Sequence, residues 1–327
     1  MLVKKRISKK EIKDLIILEP ELLEYTENFI KNYINKVKYE NKIVYSLINN
    51  ENINKDLRMM ICGDENFINC KILGGIDTLD TTCMDGVNLL FNTKNMKMLS
   101  LIDAKIFTYL RTAIINGIAL KYLSIKSPKI ILFVGGGNIA FYQIPLINKM
   151  FPLANLFIFD KYLKKVKNLL SNLSNILGTD YNLNIVNEID EIIYDADIII
   201  TSTPSRKPII FRNQIKKGVH ISALGSDAKG KEEIDPEIIK SSKFVVDDIK
   251  QSILYGELNV PYSQKKLDEK NIYATLFEII SGKKEGRINN EEITVFDSTG
   301  LSLQDFIIHI WYYEKYKNSK IDEMLRG

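Results

Sequence analysis

The chain is short of the residues on which much enzyme chemistry depends. Its 327 residues include two histidines, three cysteines and one tryptophan. His220 and His309 lie far apart in sequence, so a Ser-His-Asp triad or a histidine-rich metal site has almost no material, and no metal is expected. His220 falls in an apolar strand pattern and reads as a hydrogen-bonded core residue. Cys62, Cys70 and Cys83 are an odd set without a CxxC pair, which argues against a disulfide scaffold and a zinc knuckle. Buried free thiols in a reducing cytoplasm are the expectation. No apolar run approaches the roughly 18 to 20 residues of a membrane span. The opening "MLVKKRISKKEIKDLI" is basic but has no uninterrupted apolar core and no small-residue cleavage site, so no secretory signal is expected. Charge of one sign is also scarce. The 45 basic and 41 acidic side chains are interleaved, which gives nucleic acid no basic face to bind.

What is present is a change of texture along the chain. Residues 11–36 read as a helix, with apolar positions recurring at three and four (Ile12, Leu15, Ile16, then Phe29, Tyr33 and Val37). From Ile43 to Leu99, short apolar runs divided by Gly, Asn and Asp read as strands. "LIDAKIFTYLRTAIINGIALKYLS" follows as a long helix with Asp103 as its cap. From Lys129 onward, β-branched runs ("IILFVG", "NLFIFD", "DIIITST", "VHISALG", "KFVVDD") alternate with helical or loop segments, the pattern of a parallel sheet covered on both faces. The last stretch, "LSLQDFIIHIWYYEKYKN", reads as an amphipathic helix that packs back on the first domain.

Between the run ending at Val134 and the next helix, Gly135, Gly137 and Ala140 form a G-x-G-x-x-A pattern. In a strand-to-helix corner the first glycine permits the tight turn and the second lets backbone approach a pyrophosphate. The amides that open the helix, at Asn138 and Ile139, face negative phosphates. "NLFIFD" ends in Asp160, 23 residues after Gly137, where an acid bonds the adenosine ribose hydroxyls and repels a 2′-phosphate. NAD is therefore expected over NADP, although Lys161, Lys164 and Lys165 stand nearby. The rule that ligands bind outside the carboxyl ends of open-sheet strands brings Thr201–Pro204, with Thr203, and Gly225–Asp227, with Lys231, to the same site.

These motifs, in their order, resemble the ornithine cyclodeaminase/mu-crystallin family from about Arg58 to Asp305. The resemblance rests on "LRTA", "GGGNIA", "ADIIITSTPSRKPI", "GSDAKGKEEID", "VVDDIKQSILYGEL" and "FDSTGLSLQD". It implies a two-domain α/β protein: a Rossmann-type NAD(P)-binding domain over 124–300, and a discontinuous α+β substrate and dimerisation domain formed by 1–123 with the helix in 301–327. It implies hydride transfer at Cα of a small amino acid or its imine, and a homodimer that buries part of the 43–99 strand region. By resemblance, Lys71 is the active-site lysine, Arg111 the carboxylate clamp and Asp227 the acid that handles the substrate nitrogen. Thr81, Thr112, Thr203, Lys231 and Ser298 are expected on the cofactor.

A guanidinium suits a carboxylate because it offers two parallel bonds, and a lysine beside Arg111 should have its pKa pulled down. The sequence also departs from the family. The loop after Lys71 is short, and "KIVYSLINN" lacks the second carboxylate-binding arginine of many members. Arg58 stands near the substrate where ornithine-using members place an acid, and a cation there would repel ornithine unless Asp56 or Asp64 compensates. The family's weight puts an ornithine cyclodeaminase-like reaction first. An alanine dehydrogenase, a ketimine reductase, an amino-acid-condensing synthase, or a non-catalytic NAD(P)H-binding protein are the alternatives.

Overall fold

The structure, a computed structural model, describes residues 13–16, 19–49, 53–78, 82–178, 181 and 183–317. Its contacts divide the chain into two compact units, Met1–Ile114 with Gly300–Gly327, and Ile115–Thr299.

In the first unit, helix α1 (Glu19–Tyr33) leads into strands β1 (Lys38–Tyr39), β2 (Ile43–Asn49), β3 (Ile53–Gly63), β4 (Phe67–Thr78), β5 (Thr82–Asn92) and β6 (Met98–Asp103). They form an antiparallel sheet of order β1-β3-β4-β5-β6, with β2 also paired to β3. Helix α2 (Ala104–Leu123) follows, and Asp103 caps it, its Oδ1 accepting from the amide of Ile106 at 3.0 Å.

Alternation along β3 runs against the usual sense. Asn54, Asp56, Arg58, Met60 and Cys62 point to the buried face, while Leu57 and Ile61 on the other face are 39% and 44% exposed. In register, Met60 pairs with Lys71, Lys71 with Asn88, and Asn88 with Ile102, so these share the buried face. A strand has period two, so one residue of register decides which set is enclosed. Here the polar set is enclosed.

The C-terminal helix, Ser302–Tyr316, packs on β3, β4, β5 and α1. The sequence reads it as amphipathic, but every residue from Ser302 to Trp311 is buried. Asp305 and His309 on this helix meet polar partners on the sheet and Gln304 meets Arg111 on α2, so both of its faces can be enclosed. Its outer end is half-exposed, and Phe107 meets Tyr312 edge-on at 5.1 Å.

The second unit holds β7 (Ile130–Val134), α3 (Asn138–Met150), β8 (Asn155–Phe159), α4 (Leu163–Leu177), β9 (Leu183–Ile185), β10 (Ile198–Thr201), β11 (Arg206–Ile210), β12 (His220–Ala223), β13 (Glu232–Ile234), β14 (Lys243–Val246), β15 (Ile272–Thr275) and β16 (Thr294–Asp297). β11 and β13 pair apart from the rest, and the others form a parallel sheet of order β15-β14-β16-β12-β10-β7-β8-β9. Runs such as "IIIT" are buried throughout, as strands covered on both faces must be. Leu132, Ile199, Ile221, Phe244 and Val295 join one hydrophobic core. The chain order reverses at β7, with β8 on one side and β10 on the other, which is the crevice where doubly wound sheets bind dinucleotides. His220 is buried as expected, Nδ1 2.8 Å from Thr294 Oγ1 and Nε2 3.0 Å from Ser222 Oγ, and burial pushes its pKa down to about 3. No helix among the described residues is long and apolar enough to cross a membrane.

Candidate functional site

In the first unit, Lys71 sits in mid-strand on the enclosed face of β4 and is fully buried. Its ammonium donates to Thr108 Oγ1 at 2.7 Å and to Asp305 Oδ1 at 2.8 Å. An ammonium has three donors, so one remains for a ligand. Burial is the main cause that brings Lys71 from 10.5 to about 8. Asp305 opposes the fall, and Arg111 and Arg58 add to it. The sequence reading assigned the lowering to Arg111; the larger cause is the loss of solvent.

Arg111 lies one turn beyond Thr108 on α2, 8% exposed, and donates to Gln304 Oε1 at 2.9 Å. Its Nε has no hydrogen-bond partner, and no carboxylate among the described residues forms an ion pair with it. Gly300, at φ +82°, packs so closely that an added Cβ would stand 2.4 Å from the guanidinium. Gln304 Nε2, Asp305 Oδ2 and both amide atoms of Asn88 are likewise buried without partners. Buried polar groups left this way are rare in folded proteins and mark a place for a ligand or ordered water.

Arg58 is held differently. Its Nε lies 2.9 Å from Asp56 Oδ1, and its terminal nitrogen lies 3.1 Å from Asp56 Oδ2 and 3.5 Å from Asp77 Oδ2. Of the two acids the sequence offered beside Arg58, Asp56 is the one that pairs with it. Asp64 instead closes a turn, accepting from the amides of Asn66 and Phe67. Thr112 is buried on α2 and donates its hydroxyl to the Thr108 carbonyl at 2.7 Å. Thr81 lies outside the described residues.

In the second unit, the glycine corner has the geometry its spacing implies. Gly135 takes φ +111°, and a Cβ there would come within 2.7 Å of the Ser202 carbonyl oxygen. A Cβ on Gly137 would meet nothing within 4 Å, so the backbone there presents an open surface. Asn138 and Ile139 open α3, while Ala140 is buried against the sheet. Asp160, at the end of β8, accepts from the Gly136 amide and from the Tyr162 amide, each at 2.8 Å. The carboxylate is thereby fixed beside the corner with lone pairs remaining. Bare backbone, a helix N-terminus and a pinned acid together fit the diphosphate and ribose of a dinucleotide.

The strand ends next to this corner carry the other expected residues. Asp227 Oδ1 accepts from Lys231 Nζ at 2.8 Å, and Lys231 is nearly enclosed. The Ser298 hydroxyl lies 3.5 Å from Asp247 Oδ2, while Thr299 donates to Asp247 Oδ1 at 2.8 Å. Thr203 donates both its amide and its hydroxyl to Glu233 Oε1, at 2.7 and 2.8 Å.

The model of the ornithine cyclodeaminase/mu-crystallin family matches residues 3–320. The chain belongs to this family. The alanine dehydrogenase of Archaeoglobus fulgidus is 35% identical over 228 residues, covering 70% of this chain and 69% of that one. An archaeal alanine dehydrogenase dimer with bound NAD has a TM-score of 0.81 at 30% identity, covering 93% of each chain. The Thermococcus litoralis Delta(1)-pyrroline-2-carboxylate reductase, solved with NADH and L-proline, has a TM-score of 0.82 at 27% identity, covering 94% of this chain and 95% of that one.

Among the partners of the expected family residues, Thr108, Gln304, Asp305 and Glu233 carried no role in the sequence reading. Asp305 and Gln304 stand in "LSLQD" and Glu233 in "GKEEID", both visible as motifs. A motif shows that a residue belongs to a pattern; only the fold shows what its side chain touches.

Proposed function

We propose that this chain is an NAD-dependent oxidoreductase acting on the C–N bond of a small α-amino acid or its imine, most like an alanine-type dehydrogenase or a ketimine reductase. The observation that carries the reading is Arg111. A buried guanidinium with an unmet Nε and no carboxylate of its own calls for an anion, and a planar carboxylate matches its donors. Lys71, with one donor left and a pKa near 8, is suited to hold the same carboxylate or to move a proton near neutral pH. The relatives at 27–35% identity bear the names of a dehydrogenase and a reductase of such compounds.

In the oxidative direction, the substrate nitrogen gives a proton to Asp227, which Lys231 orients. The nitrogen lone pair then forms the C=N bond as the hydrogen on Cα leaves with its electron pair. A nicotinamide dinucleotide held at the glycine corner and Asp160 would supply the acceptor for that hydride. In reduction the same groups act in reverse, with Asp227 returning the proton to nitrogen. Asp160 favours NAD because a carboxylate at the ribose repels a 2′-phosphate.

A homodimer is part of the proposal. Tyr45, Leu57, Ile61 and Ile76 share the outer face of the antiparallel sheet at 64%, 39%, 44% and 42% exposure. Contiguous exposed apolar side chains of this kind mark an interface. Of the three cysteines Cys62 is buried, Cys70 half-buried and Cys83 exposed, so the expectation of buried thiols holds for Cys62 alone.

Ornithine cyclodeamination is the second reading. Asp56 and Asp77 both pair with Arg58, so its charge is met within the protein and weighs less against a distal ammonium. The deciding experiment follows NADH and ammonia together, with pyruvate plus ammonium, a cyclic ketimine carboxylate, and ornithine. Consumption of NADH with either of the first two supports the proposal. Ammonia from ornithine without net NADH supports the second reading. NADH binding with no turnover on any of them would make the chain a cofactor-binding protein.

A further inference from the structure

Glu233 is fully buried at the centre of β13, yet it faces the strand ends beside the glycine corner. Oε1 serves the first of two loops alone, and Oε2 serves both. Oε1 accepts from the Thr203 amide at 2.7 Å and the Thr203 hydroxyl at 2.8 Å. Oε2 accepts from the Gly225 amide at 2.8 Å and the Thr201 hydroxyl at 2.7 Å. The first loop leaves β10 and the second leaves β12, the strands on the β10 side of the reversal at β7. Asp160 stands on the other side of that reversal, at the end of β8. A dinucleotide whose ribose meets Asp160 therefore lays its far end over the two loops that Glu233 joins.

The packing leaves little slack. A Cβ on Gly225 would stand 2.6 Å from Glu233 Oε2 and 2.3 Å from the Thr203 carbonyl oxygen. Two residues beyond Gly225 is Asp227, whose partner Lys231 lies two residues before Glu233. Behind Glu233, its own amide is held by Glu257 at 3.0 and 3.1 Å. Burial pushes the pKa of both carboxyls up, that of Glu257 the more strongly because Glu233 and Asp297 lie nearby.

We propose that Glu233 is a positioning residue for the nicotinamide end of the cofactor, clamping the Thr201–Thr203 loop to the Gly225–Asp227 loop so that both present one surface. The inference rests on the dinucleotide reading given above. Each oxygen of Glu233 receives a backbone N–H, which can only donate. A glutamine in its place puts an NH2 against one of them in either orientation, so one backbone N–H of the clamp loses its acceptor.

The test is calorimetric titration of NADH and of ADP-ribose, which lacks the nicotinamide, into the full chain and Glu233→Gln. Leaving a buried backbone N–H without its acceptor should weaken NADH roughly tenfold or more. ADP-ribose should bind within about twofold of the parent, because the glycine corner and Asp160 are untouched. Equal weakening of both ligands, or no weakening of either, overturns the proposal and makes Glu233 an ordinary structural brace. If Glu233→Gln does not fold, Thr201→Val removes one donor alone and should show the same split at roughly three- to tenfold. Without that split the proposal falls. A parent chain that binds NADH but shows no split in the variants refutes this inference only. A parent that binds no NADH refutes the dinucleotide reading and this inference with it.

Discussion

Lys71 Nζ lies 2.8 Å from Asp305 Oδ1, with the two side chains 1% and 0% exposed. The pair joins residues 234 positions apart in sequence, one in a strand and one in the C-terminal helix. Burying an ion pair costs desolvation, and its attraction returns that cost only when the geometry and remaining bonds are good. Here Thr108 supplies a second bond to the ammonium, while Asp305 Oδ2 has none. The arrangement keeps a lysine in place while leaving its proton weakly held.

That gives a pH prediction with a definite sign. In the imine-reducing direction Lys71 acts protonated, so kcat/KM should fall as pH rises through about 8. Asp305 raises the Lys71 pKa, whereas burial, Arg111 and Arg58 lower it. Asp305→Asn should therefore move the inflection to lower pH. An unmoved inflection would remove Lys71 from the profile. Stability carries the same signature: the folded pKa near 8 is below the unfolded 10.5, so stability should rise with pH between those values. Urea midpoints measured across that window will show it.

Asp227 and Arg111 should fail in different ways. Asp227→Asn keeps the side chain's shape, and NADH should still bind. Turnover should drop by roughly 10²–10⁴-fold, as expected when a general base is lost. Arg111→Lys should mainly raise the substrate KM, because an ammonium cannot make the paired grip on a carboxylate. Steady-state kinetics separate the two, and turnover of Asp227→Asn within a few-fold of the parent would leave that residue to its ion pair with Lys231.

Asp160→Ser should erode the preference for NADH over NADPH by roughly tenfold or more, since a charged acceptor for the ribose is lost along with its repulsion of a 2′-phosphate. The substitution also frees the Gly136 and Tyr162 amides, so some loss of thermal stability should accompany it. An unchanged ratio of the two KM values would place the discrimination elsewhere.

The oligomer is tested on the outer sheet face. Leu57→Glu together with Ile61→Glu adds two like charges beside Tyr45 and Ile76 and should give a folded monomer by light scattering at micromolar concentration. A parent chain that is itself monomeric there would refute the proposed dimer.

The nucleotide-binding half was legible in the sequence because its signals are local. Gly135, Gly137, Ala140 and Asp160 act through strand, corner and helix within one β-α-β unit, so spacing alone implies the geometry. The continuous runs "IILFV" and "IIIT" announced strands covered on both faces for the same reason. The family's motifs named Lys71, Arg111 and Asp227, but not what holds them. Tertiary structure decided that the polar face of β3 and β4 is the enclosed one, because a period-two pattern reads equally well with either face inward until a partner covers it. It decided that the C-terminal helix is buried through Trp311, and that Asp305 meets Lys71 and Gln304 meets Arg111. Those contacts span about two hundred residues, and helical periodicity sets which side chains share a face without saying what that face meets.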